Sequence, residues 1–116
     1  MQRQALLIDD DLDFLEGLRA QMDEQGFEGV KTSSVAEGLA HLSKPGMCDI
    51  CEVILCDVQM PDISGDELLR ALRRSGYQIP TFIFVTAAPS PELVRELISL
   101  GADYVLVKPF SREALG

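Results

Sequence analysis

Six side chains carry the chemistry this sequence can offer. Asp9, Asp10 and Asp11 follow the apolar run Ala5–Ile8, and Asp57 ends Val53-Ile54-Leu55-Cys56. Thr86 ends Phe82-Ile83-Phe84-Val85, and Lys108 follows Tyr104-Val105-Leu106-Val107. Clustered carboxylates repel one another and need compensation. A hard divalent cation supplies it: Mg²⁺ takes oxygen ligands, keeps several waters, and is bound through one or two carboxylates plus a phosphate oxygen. A carboxylate nucleophile, a divalent metal, a lysine and a hydroxyl together suit phosphoryl transfer to an aspartate. Taken singly, each residue is uninformative. An Asp after a strand is usually a turn residue or a helix cap, a strand-end Thr is usually only that, and a lone Lys is a solvated charge. The signal is their coincidence at four strand ends.

The elements that must position these groups follow from the apolar pattern. Val53–Cys56 shows no polar alternation and reads as a strand buried on both faces, typical of the middle of a parallel sheet. Ala5–Ile8 and Pro80–Thr86 read as strands of the same kind, Tyr104–Val107 as a fifth, and Gly29–Thr32 as a weak second. Leu12, Leu15, Leu18 and Met22 recur at helical spacing over residues 12–25, with Gly26 at the C-terminal cap. Ser34-Val35-Ala36-Glu37 has capping-box spacing and should open a helix with Val35, Leu39, Ala40 and Leu42 inward. Lys44-Pro45-Gly46 ends that helix, and a loop through Met47–Ile50 leads to the central strand. A third helix, about 66–74, buries Leu68, Leu69 and Leu72. Ser90-Pro91 opens a fourth helix, with proline at its first position, which Gly101 closes. Ser111 should begin a fifth, but the sequence given stops at Gly116.

Five β-α units imply an α/β fold, a doubly wound five-stranded parallel sheet with right-handed crossovers and helices on both faces. Its order is expected to be the flavodoxin-like 2-1-3-4-5, with the last helix truncated. Strands one and three are then neighbours at a switch point, where ligands bind beyond the carboxyl ends of the strands.

With 116 residues the sequence amounts to one domain. Net charge is −9, from 19 acidic and 10 basic residues, which disfavours nucleic acid and anionic membranes and favours cations or a basic partner. No apolar stretch approaches the about 20 residues of a membrane span, and no signal peptide is visible. Three cysteines in no disulfide pattern point to a reducing cytoplasm. Cys48-Asp49-Ile50-Cys51 enters a strand rather than a helix and lacks a second pair, so it reads as neither a redox nor a zinc site. Arg70, Arg73 and Arg74 are expected on the solvated face of the third helix.

The chain resembles a bacterial response-regulator receiver domain, the phosphoacceptor part of two-component signalling. The carriers are Leu6-Leu7-Ile8-Asp9-Asp10-Asp11, Ile54-Leu55-Cys56-Asp57-Val58-Gln59-Met60-Pro61 with Gly65, Phe84-Val85-Thr86-Ala87, and Gly101-Ala102-Asp103 through Lys108-Pro109-Phe110. The resemblance implies a phosphorylation-dependent switch rather than an enzyme with a separate substrate. It makes Asp57 the residue phosphorylated by a sensor histidine kinase or phosphotransfer protein. It makes Asp10 a direct ligand of Mg²⁺ (or Mn²⁺), Asp9 a neighbour acting largely through metal-bound water, and the Gln59 backbone carbonyl the third protein ligand, beside Asp57. Thr86 would move toward the phosphoryl group and Lys108 would pair with it. Asp11 is expected to cap the first helix. Lys108-Pro109 matches a peptide bond often cis in the family. Gln59 and Ala88 occupy positions that tune phosphoryl lifetime.

The resemblance also implies an output and homodimer face built from the fourth helix, fifth strand and fifth helix, here Ser90–Leu100, Tyr104–Val107 and the stub after Ser111. The expected setting is a cytoplasmic chain cut from a longer protein with a downstream output domain. The family's aromatic residue three positions before the lysine is Val105 here. Tyr104, one residue earlier, belongs to the opposite strand face and should not replace it.

Two other readings remain open at this point. Asp9-x-Asp11 resembles the nucleophile and acid of haloacid-dehalogenase phosphatases, though that leaves Asp57 without a role. A receiver-like interaction module that does not switch would suit Val105.

Overall fold

The computed structural model describes residues 3–108. Its elements are β1 (Gln4–Ile8), α1 (Leu12–Glu24), β2 (Glu28–Thr32), α2 (Val35–Leu42), α3 (Met47–Ile50), β3 (Cys51–Asp57), α4 (Gly65–Ser75), β4 (Thr81–Thr86), α5 (Pro91–Ser99) and β5 (Tyr104–Val107). The five strands are parallel in the order β2-β1-β3-β4-β5, as expected. The helix expected after Ser111, the Pro109 peptide bond and part of the inferred output face lie outside the described residues.

Strand alternation divides the core in two. Leu6, Ile8, Ile54, Cys56, Phe82 and Phe84 point to the side covered by Val35 and Leu42 of α2, Leu68, Leu69 and Leu72 of α4, and Leu97 of α5. Ala5, Leu7, Val53, Leu55 and Val85 point the other way, onto Leu15, Leu18 and Met22 of α1. Central strands with both faces covered must be apolar throughout, which is why β1 and β3 lack alternation.

Two local expectations are corrected. The stretch Met47–Ile50 is a single helical turn, α3, rather than a loop. It starts at Gly46, whose φ of +83° is strained for any residue with a side chain. On α2 the inward stripe is Val35, Gly38 and Leu42, while Leu39 is 38% exposed and Ala40 is exposed. The helix lies so close to β1 that a Cβ on Gly38 would stand 2.6 Å from Ile8 Cδ1. A glycine therefore occupies the position that a pattern of large apolar residues assigns to Leu39.

Caps fix where the helices begin. Asp11 accepts from the Phe14 N–H at α1, and Ser90 from the Leu93 N–H at α5, as their spacing predicts. Ser34 accepts from the Glu37 N–H, while the Glu37 carboxylate reaches back one residue further than a capping box requires, to the N–H and hydroxyl of Ser33. The N–H groups of Val35 and Ala36 are taken by Asp62. This ties the loop after β3 to α2.

Arg70 and Arg73 do more than face solvent. Arg70 pairs with Asp66 and Glu67 on its own helix and with Glu96 of α5 at 3.5 Å, and Arg73 donates to the Leu100 carbonyl. Both bind α4 to α5.

Candidate functional site

The carboxyl ends of β1, β3, β4 and β5 converge on one crevice. β1 and β3 are adjacent in the sheet, with Ile8 opposite Cys56, so the residues that follow them, Asp9 and Asp57, become neighbours. Asp9 is 2% exposed and Asp57 is 9% exposed, whereas Asp10 is exposed. One carboxylate oxygen from each of the three lies within 4.8 Å of the others.

Lys108 enters from the end of β5, where its N–H donates to the Thr86 carbonyl at 2.8 Å. Its ammonium donates to Asp57 Oδ2 at 3.0 Å and forms an ion pair with Asp9 Oδ2 at 2.6 Å. Burial pulls the lysine pKa down, but pairing with the carboxylates of Asp9 and Asp57 outweighs it and the net direction is up. Lys108 therefore stays charged at neutral pH. Asp9 moves up, because desolvation outweighs the pull of Lys108 and the Asp11 N–H, and the charge on Asp57 adds to it.

The backbone holds the remaining oxygens. Asp57 Oδ1 accepts from the Gln59 N–H at 3.0 Å, and Asp9 Oδ1 from the Asp11 N–H at 2.9 Å. The loop after Asp57 folds back tightly: Val58 N–H donates to the Val85 carbonyl at 3.2 Å and Gly65 N–H to the Val58 carbonyl at 2.7 Å. A Cβ on Gly65 would collide with the Asp57 carbonyl oxygen and lie 3.0 Å from Cys56 Sγ, so only glycine allows this approach. Thr86 is 3% exposed, and its Oγ1 accepts from the Ala88 N–H at 3.1 Å. A hydroxyl that accepts in this way keeps its own proton to donate.

The residues present fit a divalent cation. Three carboxylates face one ammonium, a formal surplus of two negative charges. Asp9 Oδ2 is buried without an aligned hydrogen bond; its contact with Lys108 is electrostatic only. An all-oxygen donor set of this kind suits Mg²⁺ or Mn²⁺.

Of the six residues singled out in the sequence, Asp9, Asp10, Asp57 and Lys108 come together, while the Thr86 hydroxyl is held by the Ala88 N–H. Asp11 spends its carboxylate on the α1 cap, which removes the acid that a phosphatase built on Asp9-x-Asp11 requires. Val105 packs inward against the core and Tyr104 is 61% exposed, so the tyrosine does not replace the missing aromatic residue. Cys56 is buried, and burial pushes its thiol up, so it is inert packing beside Asp57.

Three contacts escaped the sequence. Asp62 caps a helix 27 positions upstream, Asp103 accepts from the Phe82 N–H to brace β4, and Phe14 stands beside Lys108. Asp103 stands in the sequence only as a member of the Gly101-Ala102-Asp103 motif, and Asp62 and Phe14 carry no local signal, because each meets its partner only through the fold.

Comparison with known proteins agrees with this geometry. Response regulator SaeR of Staphylococcus aureus is 29% identical over 110 residues, covering 95% of this chain and 46% of that protein. The chain thus spans about half the length of the curated relatives it matches. Among solved structures, the chemotaxis response regulator CheY4 of Vibrio cholerae is 30% identical with a TM-score of 0.84, covering 99% of this chain and 93% of that one. A response regulator receiver domain protein from Clostridium thermocellum is 26% identical with a TM-score of 0.86, covering 97% and 87%. The receiver domain of a LuxO repressor protein from Vibrio parahaemolyticus, at 20% identity, TM-score 0.89 and coverage of 99% and 85%, shows the same fold. Among the described residues no helix is long and apolar enough to cross a membrane. The model of the response regulator receiver domain matches residues 5–116, and the chain belongs to that family of two-component signalling domains.

Proposed function

We propose that this domain is a phosphorylation-dependent switch in which Asp57 accepts a phosphoryl group from a phosphohistidine on a sensor kinase or phosphotransfer protein. The observation that carries the reading is the Asp57 carboxylate held 3.0 Å from the Lys108 ammonium, with carboxylate oxygens of Asp9 and Asp10 within 4.8 Å. An Asp57 carboxylate oxygen attacks phosphorus. The new O–P bond forms as the P–N bond to the donor histidine breaks, and the imidazole keeps the electron pair. Asp9, Asp10, Asp57 and the Gln59 carbonyl would hold Mg²⁺ or Mn²⁺, which supplies charge neutralisation on the phosphoryl oxygens. Lys108 neutralises a further oxygen, and the Thr86 hydroxyl donates to another once it turns into the crevice.

The consequence is a change of charge at one buried point, from a carboxylate to an acyl phosphate. Thr86 connects that point to the segment leading into α5, so the surface of α5 and β5 is the readout for an output domain, a partner protein or a second copy of the chain. The domain turns over no separate substrate in this reading.

Incubation with acetyl phosphate and Mg²⁺, followed by intact mass, tests it. Wild type gains one phosphoryl group and Asp57→Asn gains none, while Asp9→Asn is slowed and chelation of the cation stops the reaction. If Asp57→Asn were labelled at the wild-type rate, the assignment would be wrong.

A further inference from the structure

We infer that Phe14 is a positioning residue that holds the Lys108 ammonium at the carboxylate cluster. The inference rests on the reading of Asp57 as phosphoacceptor and adds to it a residue outside the carboxylate, hydroxyl and lysine set. Lys108 Nζ lies 4.4 Å from the centroid of the Phe14 ring, over its face. Two sides of the ammonium are occupied by Asp9 and Asp57, and the ring takes a third, leaving the lysine side chain 15% exposed. A ring face attracts a cation at this distance, more strongly as water is excluded.

The contact closes a circuit. Asp9 Oδ1 accepts from the Asp11 N–H, Asp11 Oδ1 accepts from the Phe14 N–H, the Phe14 ring meets Lys108, and Lys108 pairs with Asp9 Oδ2. The first turn of α1 thus carries both the cap that starts the helix and the ring that fixes the lysine.

Such an anchor is needed. Lysine has a flexible four-carbon stem, and β5 is a four-residue edge strand that positions the backbone only. The ring is also a weaker partner than a carboxylate. It retains the ammonium beside the site while its pairing shifts from Asp57 to an oxygen of the new phosphoryl group. A carboxylate in that place would compete for the lysine, and open water would let it swing away.

Phe14 also packs against the core between α1 and the sheet, so simple truncation would confuse packing with positioning. Phe14→Leu keeps an apolar side chain and helix propensity but removes the ring face; Phe14→Tyr restores it. On the full chain with Mg²⁺ and acetyl phosphate, Phe14→Leu should be phosphorylated about threefold to tenfold more slowly, the size of a partly desolvated cation–π contact, and Phe14→Tyr within about twofold of wild type. The ε-methylene protons of Lys108 should be shifted upfield by the ring in wild type and Phe14→Tyr, and return to ordinary positions in Phe14→Leu. An unchanged rate in Phe14→Leu, unchanged Lys108 resonances, or a Phe14→Tyr as slow as Phe14→Leu would each overturn the inference. Asp57→Asn in the same assay separates the two levels. If wild type gains no Asp57-dependent mass, the phosphoacceptor reading fails. If it does and Phe14→Leu matches it, only the role of Phe14 fails.

Discussion

Gly65 and Lys108 govern Asp57 from opposite sides. The loop after Asp57 returns so closely that Gly65 meets the Asp57 carbonyl, and any side chain there must push the loop away. Gly65→Ala should cost about 1–3 kcal/mol by overpacking and slow phosphorylation, because the displaced backbone includes the Gln59 N–H that holds Asp57 Oδ1. Urea unfolding and the acetyl phosphate assay check the two effects. Lys108 is the one ammonium facing three carboxylates among the described residues. Lys108→Ala should lower stability without divalent cation by about 1–3 kcal/mol, since Asp9 is left buried and uncompensated. Its Mg²⁺ affinity should rise, because the cation meets one more uncompensated charge. Thermal melts across a Mg²⁺ titration test both, and a variant with weaker Mg²⁺ binding than wild type would contradict the charge argument.

At the scale of elements, Asp62 joins the loop after β3 to the start of α2. Burial pushes its carboxyl up, but the N–H groups of Ala36, Ile63 and Val35 outweigh this, and the net direction is below 3.8. A carboxyl lowered in the folded state stabilises above its ordinary value of 3.8, and that stabilisation is lost as pH falls through the folded value. By its cap contacts alone, and screened because the side chain is exposed, Asp62→Ala should cost about 0.5 kcal/mol at pH 7, with the gap to wild type narrowing as pH falls below 3.8. Urea unfolding at pH 7 and in the acid limb measures the difference. The arginine contacts from α4 to α5 act at the same scale. Arg70 with Glu96, and Arg73 with the Leu100 carbonyl, hold the helix that follows Thr86 against its neighbour, so any displacement of α5 must stretch or replace them.

For the whole molecule, the prediction concerns how far a signal at Asp57 travels. β4 and β5 are joined at the site by the Lys108 N–H to Thr86 carbonyl bond, and α5 starts four residues after Thr86 at its Ser90 cap. With beryllofluoride and Mg²⁺ as a phosphoryl mimic, amide shifts should extend from the loops around Asp57 and Thr86 into α5 and β5. Shifts confined to those loops would identify a module that does not switch, the reading that Val105 in place of an aromatic residue favours. Mg²⁺ alone should stabilise the fold by mass action, about 2.7 kcal/mol at a hundred times its dissociation constant. That corresponds to a rise in thermal midpoint on the order of 10 °C.

How much of this was legible in the chain itself depended on whether the signal was local. Apolar runs, caps and glycines act over a few residues, so the five strands, the parallel order and the four long helices could be read directly. So could the placement of Asp9, Asp10, Asp57, Thr86 and Lys108, because each lies at or just past the carboxyl end of a strand and a parallel sheet brings such ends to one side. Gly38 facing β1 in place of Leu39, and the helical turn at Met47–Ile50, were not legible, since they depend on how closely α2 approaches the sheet and on the left-handed turn at Gly46. The pairing of Lys108 with Asp9 as well as Asp57, the Asp62 cap and the Phe14 ring over Lys108 join residues from 27 to 99 positions apart. Residue types and their spacing determined which chemical groups the strand ends of this chain bring together. Only the tertiary structure decided which oxygen meets the lysine and what surrounds it, because those contacts arise between elements that share no sequence neighbourhood.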